Sequence, residues 1–174
     1  MNTRSLLVAV AAGMLALAVA LPAAADTTTA TVTVTGGSLS ITAPAAAGSL
    51  GTWVNSVGGG TISGPLGQVQ VNDARSAAAG SGWVVSVIST AFTPSTGPAI
   101  PASAVGYTAG TITKVGTATY TANNPGNLTG VVPAVTATGI TGDNSATWNP
   151  TINVAVPGGM TAGVYSATVT HSVL

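Results

Sequence analysis

The chain reads as an all-β protein, an antiparallel β-sandwich of immunoglobulin-like or related Greek-key type, with an up-and-down barrel as the runner-up. Three observations predict this. Apolar residues alternate with Thr, Ser and Asn in several short runs, Gly or Pro interrupts the chain every several residues, and no segment beyond residue 25 carries the period of an amphipathic helix.

Taken in order, residues 1–25 read as a secretory signal peptide. Arg4 supplies the positive n-region, residues 6–21 form an uncharged Ala/Leu/Val-rich run, and Ala23 and Ala25 are the small residues a signal peptidase inspects. A retained membrane anchor fits less well, because the run is shorter than the roughly 20 residues that span a bilayer. The mature chain is expected to be a single domain over residues 26–174.

Strands follow. Val32 and Val34 alternate with threonines over residues 31–35, and Leu39 and Ile41 continue the alternation among Ser38, Ser40 and Thr42. Leu66, Val69 and Val71 mark the next strand. Residues 83–88 are mostly apolar on both faces, which suits a central, well-covered strand. Ile152, Val154 and Val156 alternate with Thr151, Asn153 and Ala155, and a Pro-Gly-Gly loop then leads to Tyr165, Ala167, Val169, His171 and Val173 on one face. These last two strands read as a hairpin closing the domain. Residues 58–60, 93–101 and 123–127 are rich in loop-forming residues, and nothing marks an internal linker or an exact repeat.

Composition narrows the function classes. Of 174 residues only 3% are charged, and the chain contains no cysteine. Beyond residue 25 the ionisable acids and bases are Asp26, Asp73, Arg75, Lys114, Asp143 and the single His171. General acid–base catalysis needs a poised His or a pair of carboxylates with divergent pKa values, and glycosidases ordinarily need two facing carboxyl groups. The chain is therefore read as non-enzymatic, with no cofactor. Serines are plentiful, but no G-x-S-x-G elbow accompanies His171. Asp143 and Asn144 offer oxygen ligands without a metal-binding loop. Two basic residues in the mature chain cannot neutralise a run of phosphates, which excludes nucleic acid as a partner. Regular threonine arrays of the ice-binding kind are also missing, because the spacing is irregular. Without disulfides, an exported chain must rely on core packing and sheet hydrogen bonds.

Six residues stand out as candidates. Trp53 and Trp148 lie beside loop-forming residues, where an exposed indole stacks on a sugar face and a covered one packs in the core or at its rim, so they are the candidate binding aromatics. Trp83 opens an apolar strand and is expected in the core. Asp73 and Arg75, two apart in an extended segment, share a side and are expected to pair, fixing a loop from residue 72 to 82. His171 shares a face with Tyr165 and Val169, as a core or sheet-edge residue. Asn127-Leu128-Thr129 matches a glycosylation sequon, which a bacterial source would make incidental.

The stretch Leu66-Gly67-Gln68-Val69-Gln70-Val71-Asn72-Asp73-Ala74-Arg75, followed by Gly82-Trp83-Val84-Val85-Ser86-Val87, resembles the WxL-type cell-wall-binding surface domains of Gram-positive bacteria, especially the shorter actinobacterial relatives. Ile100-Pro101-Ala102-Ser103-Ala104, Val156-Pro157-Gly158-Gly159 and Ala162-Gly163-Val164-Tyr165-Ser166-Ala167-Thr168-Val169-Thr170 agree with it, so the resemblance spans residues 32–174. Where that family carries W-x-L, this chain has Trp83-Val84-Val85, and His171-Ser172-Val173 stands where a second tryptophan is usual. The resemblance implies an all-β secreted domain associating noncovalently with the peptidoglycan-containing wall. Peptidoglycan or another wall glycan is the expected partner. The alternative is a structural or adhesive subunit that joins other surface proteins through sheet edges, since few lysines guard them. Covalent anchoring is not expected, because the chain has neither a lipobox cysteine nor a sortase signal.

Expression of the full sequence in a secreting bacterial host is expected to release protein whose intact mass corresponds to a start at Asp26. A membrane-bound product that begins at Met1 would refute export.

Overall fold

Short-period alternation of β-branched and small polar residues gives ten strands in the computed structural model, which describes residues 29–174. The expected signal segment and its cleavage site lie outside the described residues. The strands are β1 (Leu39–Thr42), β2 (Gly60–Pro65), β3 (Val69–Ser89), β4 (Thr93–Pro94), β5 (Val105–Thr108), β6 (Thr113–Ala122), β7 (Val132–Trp148), β8 (Thr151–Val156), β9 (Tyr165–Ser166) and β10 (Val169–Val173). All pairings are antiparallel. The larger sheet runs β1-β3-β7-β6, with β10 also on β3, and the smaller runs β2-β8-β5, with β4 and β9 forming a short separate pair. The sheets do not close into a barrel, and the architecture is that of a β-sandwich.

Residues 35–174 form one packed unit. Its core lies where the inner faces meet. Val69, Val71, Val85 and Val87 of β3 and Val135, Ile140 and Ala146 of β7 point inward from the larger sheet, while Val105, Tyr107, Ile152 and Val154 do so from the smaller. Burial of this kind stabilises the fold by about 25 cal/mol per Å² of apolar surface. Asn153, outside this core, ties the smaller sheet together. Ser63 donates to it at 2.7 Å and it donates to Thr108 at 3.2 Å, so one side chain links β2, β8 and β5.

Strands β3 and β7 are far longer than typical strands and carry surplus residues. Between Asp73 and Trp83 the ladder shifts register three times against β7, and β6 shifts twice between Val115 and Thr119. These are β-bulges. Positive φ angles at Ser76, Gly80, Gly139 and Gly142 supply the backbone turns they require. The Asp143 carboxylate accepts the Ser76 N–H at 2.8 Å, which holds the one non-glycine residue among them. Gly116 permits β6 to press onto β7, because a Cβ there would meet the Asp143 carbonyl.

A buried polar cluster sits against these bulges. Asp73 is 0% exposed, and Arg75 donates to both its carboxylate oxygens at 2.8 and 2.9 Å. Asn144 donates to Asp73 Oδ2 at 3.1 Å, and its own Oδ1 accepts from Trp83 Nε1 at 3.1 Å and from the Tyr120 hydroxyl at 3.2 Å. The Trp83 and Tyr120 rings pack at 5.5 Å with a tilt of 53°. No side-chain polar atom buried among the described residues lacks a partner. The expected pairing of Asp73 with Arg75 and the core position of Trp83 are thus both observed.

Four expectations are corrected. Residues 31–35 form no strand, and the regular pairing of β1 with β3 begins at Leu39, opposite Asp73. Leu66 lies outside β3, which begins at Val69. Residues 76–82 are not a loop but a bulged part of β3, held by its ladder to β7. The C-terminal hairpin does not exist either: β2 and β5 occupy both edges of β8, so the chain crosses to the other sheet, where β10 pairs with β3.

Asn144→Ala strands the Trp83 N–H and removes one donor from Asp73. It is expected to cost about 2–4 kcal/mol in urea denaturation. Thr138→Ala, at an exposed position of the same strand, should stay within about 0.5 kcal/mol.

Candidate functional site

The loop of small residues before β2 and the loop leading into β9 face each other across a cleft of about 810 Å³. Neither loop has a ladder of its own, so side chains fasten them. Asn55 donates its amide to the Met160 carbonyl, and the Tyr165 hydroxyl donates to the Thr161 carbonyl at 2.8 Å. Leu50, Ile62, Phe92 and Val156 make the cleft walls largely apolar, while Trp53, Tyr165 and His171 contribute polar edges. Such a concave surface, apolar with a few polar groups, has the usual character of a ligand site.

Trp53 is 44% exposed and stands at this cleft. Its six-membered ring lies directly on Gly60, where any side chain would collide with it. The indole is thereby held against backbone and remains half-exposed.

Trp148 is 2% exposed and belongs to the core, and its Nε1 donates to the Tyr107 hydroxyl at 2.7 Å. The reason is positional. Trp148 ends β7 in register with Val69, on the inward parity shared by Ala146 and Asn144, whereas its neighbour Asn149 is the residue that turns outward. It is therefore not available as a wall contact.

Tyr107 links Trp148 to the cleft. Its hydroxyl accepts from Trp148 and lies 3.3 Å from His171 Nε2, within hydrogen-bond reach. The Tyr107 and His171 rings meet edge-on at 5.6 Å. Burial pushes the Tyr107 hydroxyl up to about 12, so it stays protonated, and burial also lowers the His171 pKa below its ordinary 6.5.

The other charges are engaged elsewhere. Arg75 holds the Asp73 carboxyl below the usual carboxylate range, chiefly through its side-chain hydrogen bonds. Tyr120 is raised by burial and by the nearby Asp73 charge. Lys114 lies 6.0 Å from the Tyr120 ring centroid. Neither Asp73 nor Asp143 is hydrogen-bonded to His171, and the described residues contain no cluster of three metal-ligating side chains. What the cleft offers is an aromatic platform, apolar walls and one neutral imidazole.

Sequence reasoning missed Tyr107 and Asn144, which organise the two polar clusters. Val105 and Tyr107 do alternate with Gly106 and Thr108, a weak strand signal. Asn144 gave none, since its partners arrive from β3 and β6. Comparison of the chain with protein-family models, with curated proteins and with solved structures finds no match in any of the three. Among the described residues no helix is long and apolar enough to cross a membrane.

The lowered His171 pKa sets a pH dependence. Above about pH 6.5 the imidazole is neutral in folded and unfolded chains alike, and its contribution is fully present. As pH falls, the unfolded chain takes up the proton first. Stability is then lost until the lower folded pKa is passed. Urea midpoints are expected to fall from about pH 7 to about pH 5 in the native chain. His171→Gln, which keeps an acceptor for Tyr107, should flatten that decline. An unaltered decline in the variant would place its origin outside His171.

Proposed function

We propose that this chain is a secreted, non-enzymatic surface domain that associates noncovalently with the bacterial cell wall, holding peptidoglycan or another wall glycan in the cleft beside Trp53. The observation that carries this reading is the half-exposed indole, braced on Gly60 and lining a largely apolar cleft that contains no carboxylate, lysine or arginine among its described lining residues. A sugar ring presents an apolar face for stacking and hydroxyls for the polar rim, and it needs no charge in its site. The resemblance to WxL-type domains supports the wall as the source of that glycan. It also suits a chain whose mature part carries two basic and three acidic residues.

A second reading, a structural subunit joined through sheet edges, is favoured by β6, whose outer edge pairs with no strand among the described residues.

Retention on isolated wall material tests the first reading. Binding through stacking, hydrogen bonds and shape is screened little by salt, so it should survive about 1 M NaCl. Trp53→Ala should reduce retention about tenfold, a loss of about 1.4 kcal/mol. Its urea midpoint should change little, because the indole is half-exposed. Elution by moderate salt would replace this mechanism with charge attraction, and absence of retention would remove the wall as partner.

A further inference from the structure

Residues 31–35 read Thr-Val-Thr-Val-Thr, an alternating, wholly β-branched segment with high strand propensity. Among the described residues nothing pairs with it, and Val32 and Val34 are 86% and 85% exposed. Among the described residues, its backbone groups and both valines therefore have no strand partner.

A complementary edge exists at β6. This strand is ten residues long, pairs with β7 on one side and leaves the other side open among the described residues. Ala118, Tyr120 and Ala122 are half-buried against the core, while Thr117, Thr119 and Thr121 face out. Lys114, near its first residue, is the one charge along it, so the usual lysine guard is missing from residues 115–122. A strand laid beside β6 with its valines on the Ala118-Tyr120-Ala122 side extends the covered face. Its threonines then continue the row of Thr117, Thr119 and Thr121, a favourable cross-strand pairing.

The segment cannot reach β6 of its own chain. The Gly37 N–H is fixed to the Ala74 carbonyl at 2.5 Å, beside β3. In the order β1-β3-β7-β6, a strand beyond β6 lies four spacings from β1, about 19 Å at ~4.8 Å each. From Gly37 back to Val34 the fully extended chain covers about 10 Å. A β6 edge that takes this segment must therefore belong to another molecule.

We infer that residues 31–35 of one copy add as a strand to the open edge of β6 in a second copy of this chain. The contact is main-chain hydrogen bonding plus two valines, a β-augmentation. It gives the edge-association reading its donor and its acceptor, and it is independent of what the cleft beside Trp53 holds.

Because the chain has no cysteine, engineered thiols report the contact. Thr33→Cys and Thr119→Cys variants, each expressed from the full sequence, are mixed and oxidised without wall material. A disulfide-linked dimer containing one of each is expected at about ten times the level formed by either variant alone. Adding Val32→Asp and Val34→Asp to the Thr33→Cys copy should lower that yield about tenfold. The circular dichroism and urea midpoint should hold, since both valines lie outside every ladder. Absence of the mixed dimer, or a yield indifferent to the aspartates, would overturn the inference. So would a monomer of Thr33→Cys/Ala79→Cys that closes an internal disulfide, which would assign the segment to β3 of its own chain. Wall retention is read separately, so either proposal can fail alone.

Discussion

The larger sheet depends on one amide. Strands β3 and β7 do not match in length between Asp73 and Trp83, and the surplus residues must be absorbed without losing the pairing on either side. Asn144 makes that possible because its side chain donates and accepts at once: it gives a hydrogen to Asp73 and receives from Trp83 and Tyr120. A carboxylate there would face Asp73 with like charge, and an aliphatic residue would strand the buried Trp83 N–H and take one partner each from Asp73 and Tyr120. Arg75 completes the arrangement by neutralising Asp73. In a chain with 3% charged residues and no disulfide, this cluster fixes the register of β3, β6 and β7 together.

Such a cluster separates two regions of different character. On one side the ladders are bulged and rich in Gly, Ala and Ser, and they end at the open edge of β6. At the other, β10 carries its row of inward-facing residues to the cleft at Val169 and His171. Tyr107 serves both the core and the cleft, since its hydroxyl accepts from Trp148 and also lies against His171 Nε2. The imidazole is thereby oriented within the fold, and burial lowers its pKa.

Much of the fold was legible because alternation at period two is a local signal. β1, the second half of β3, β8 and β10 all fall where the apolar residues alternate, and the inward face of β10 was read correctly residue by residue. Partnership was less legible, since it is decided by which edges are already taken. The apparent C-terminal hairpin failed for that reason. The small-residue stretch after Arg75 looked like a loop because Ala, Gly and Ser carry little strand propensity, yet β7 lies alongside and imposes the ladder. Pairing of Asp73 with Arg75 was readable from spacing alone, whereas Asn144 acts across a large sequence separation. Of the two loop-flanking tryptophans, Trp53 is open and Trp148 is buried. The parity of β7 distinguishes them, and parity follows from register, which the flanking Asn and Pro do not reveal.

β1 and β10 lie end to end along the same side of β3, both antiparallel to it. β1 begins opposite Asp73, and Leu174 exchanges hydrogen bonds with Val84, so the two ends of the folded unit converge near the middle of that strand and β1 touches β10. The path through the sandwich is thus nearly a closed ring. A ring has no privileged starting point. Joining the ends by a short linker and opening the chain at residues 123–127 would preserve every ladder, which makes this sandwich suited to circular permutation and to insertion as a cassette into a surface loop of another protein.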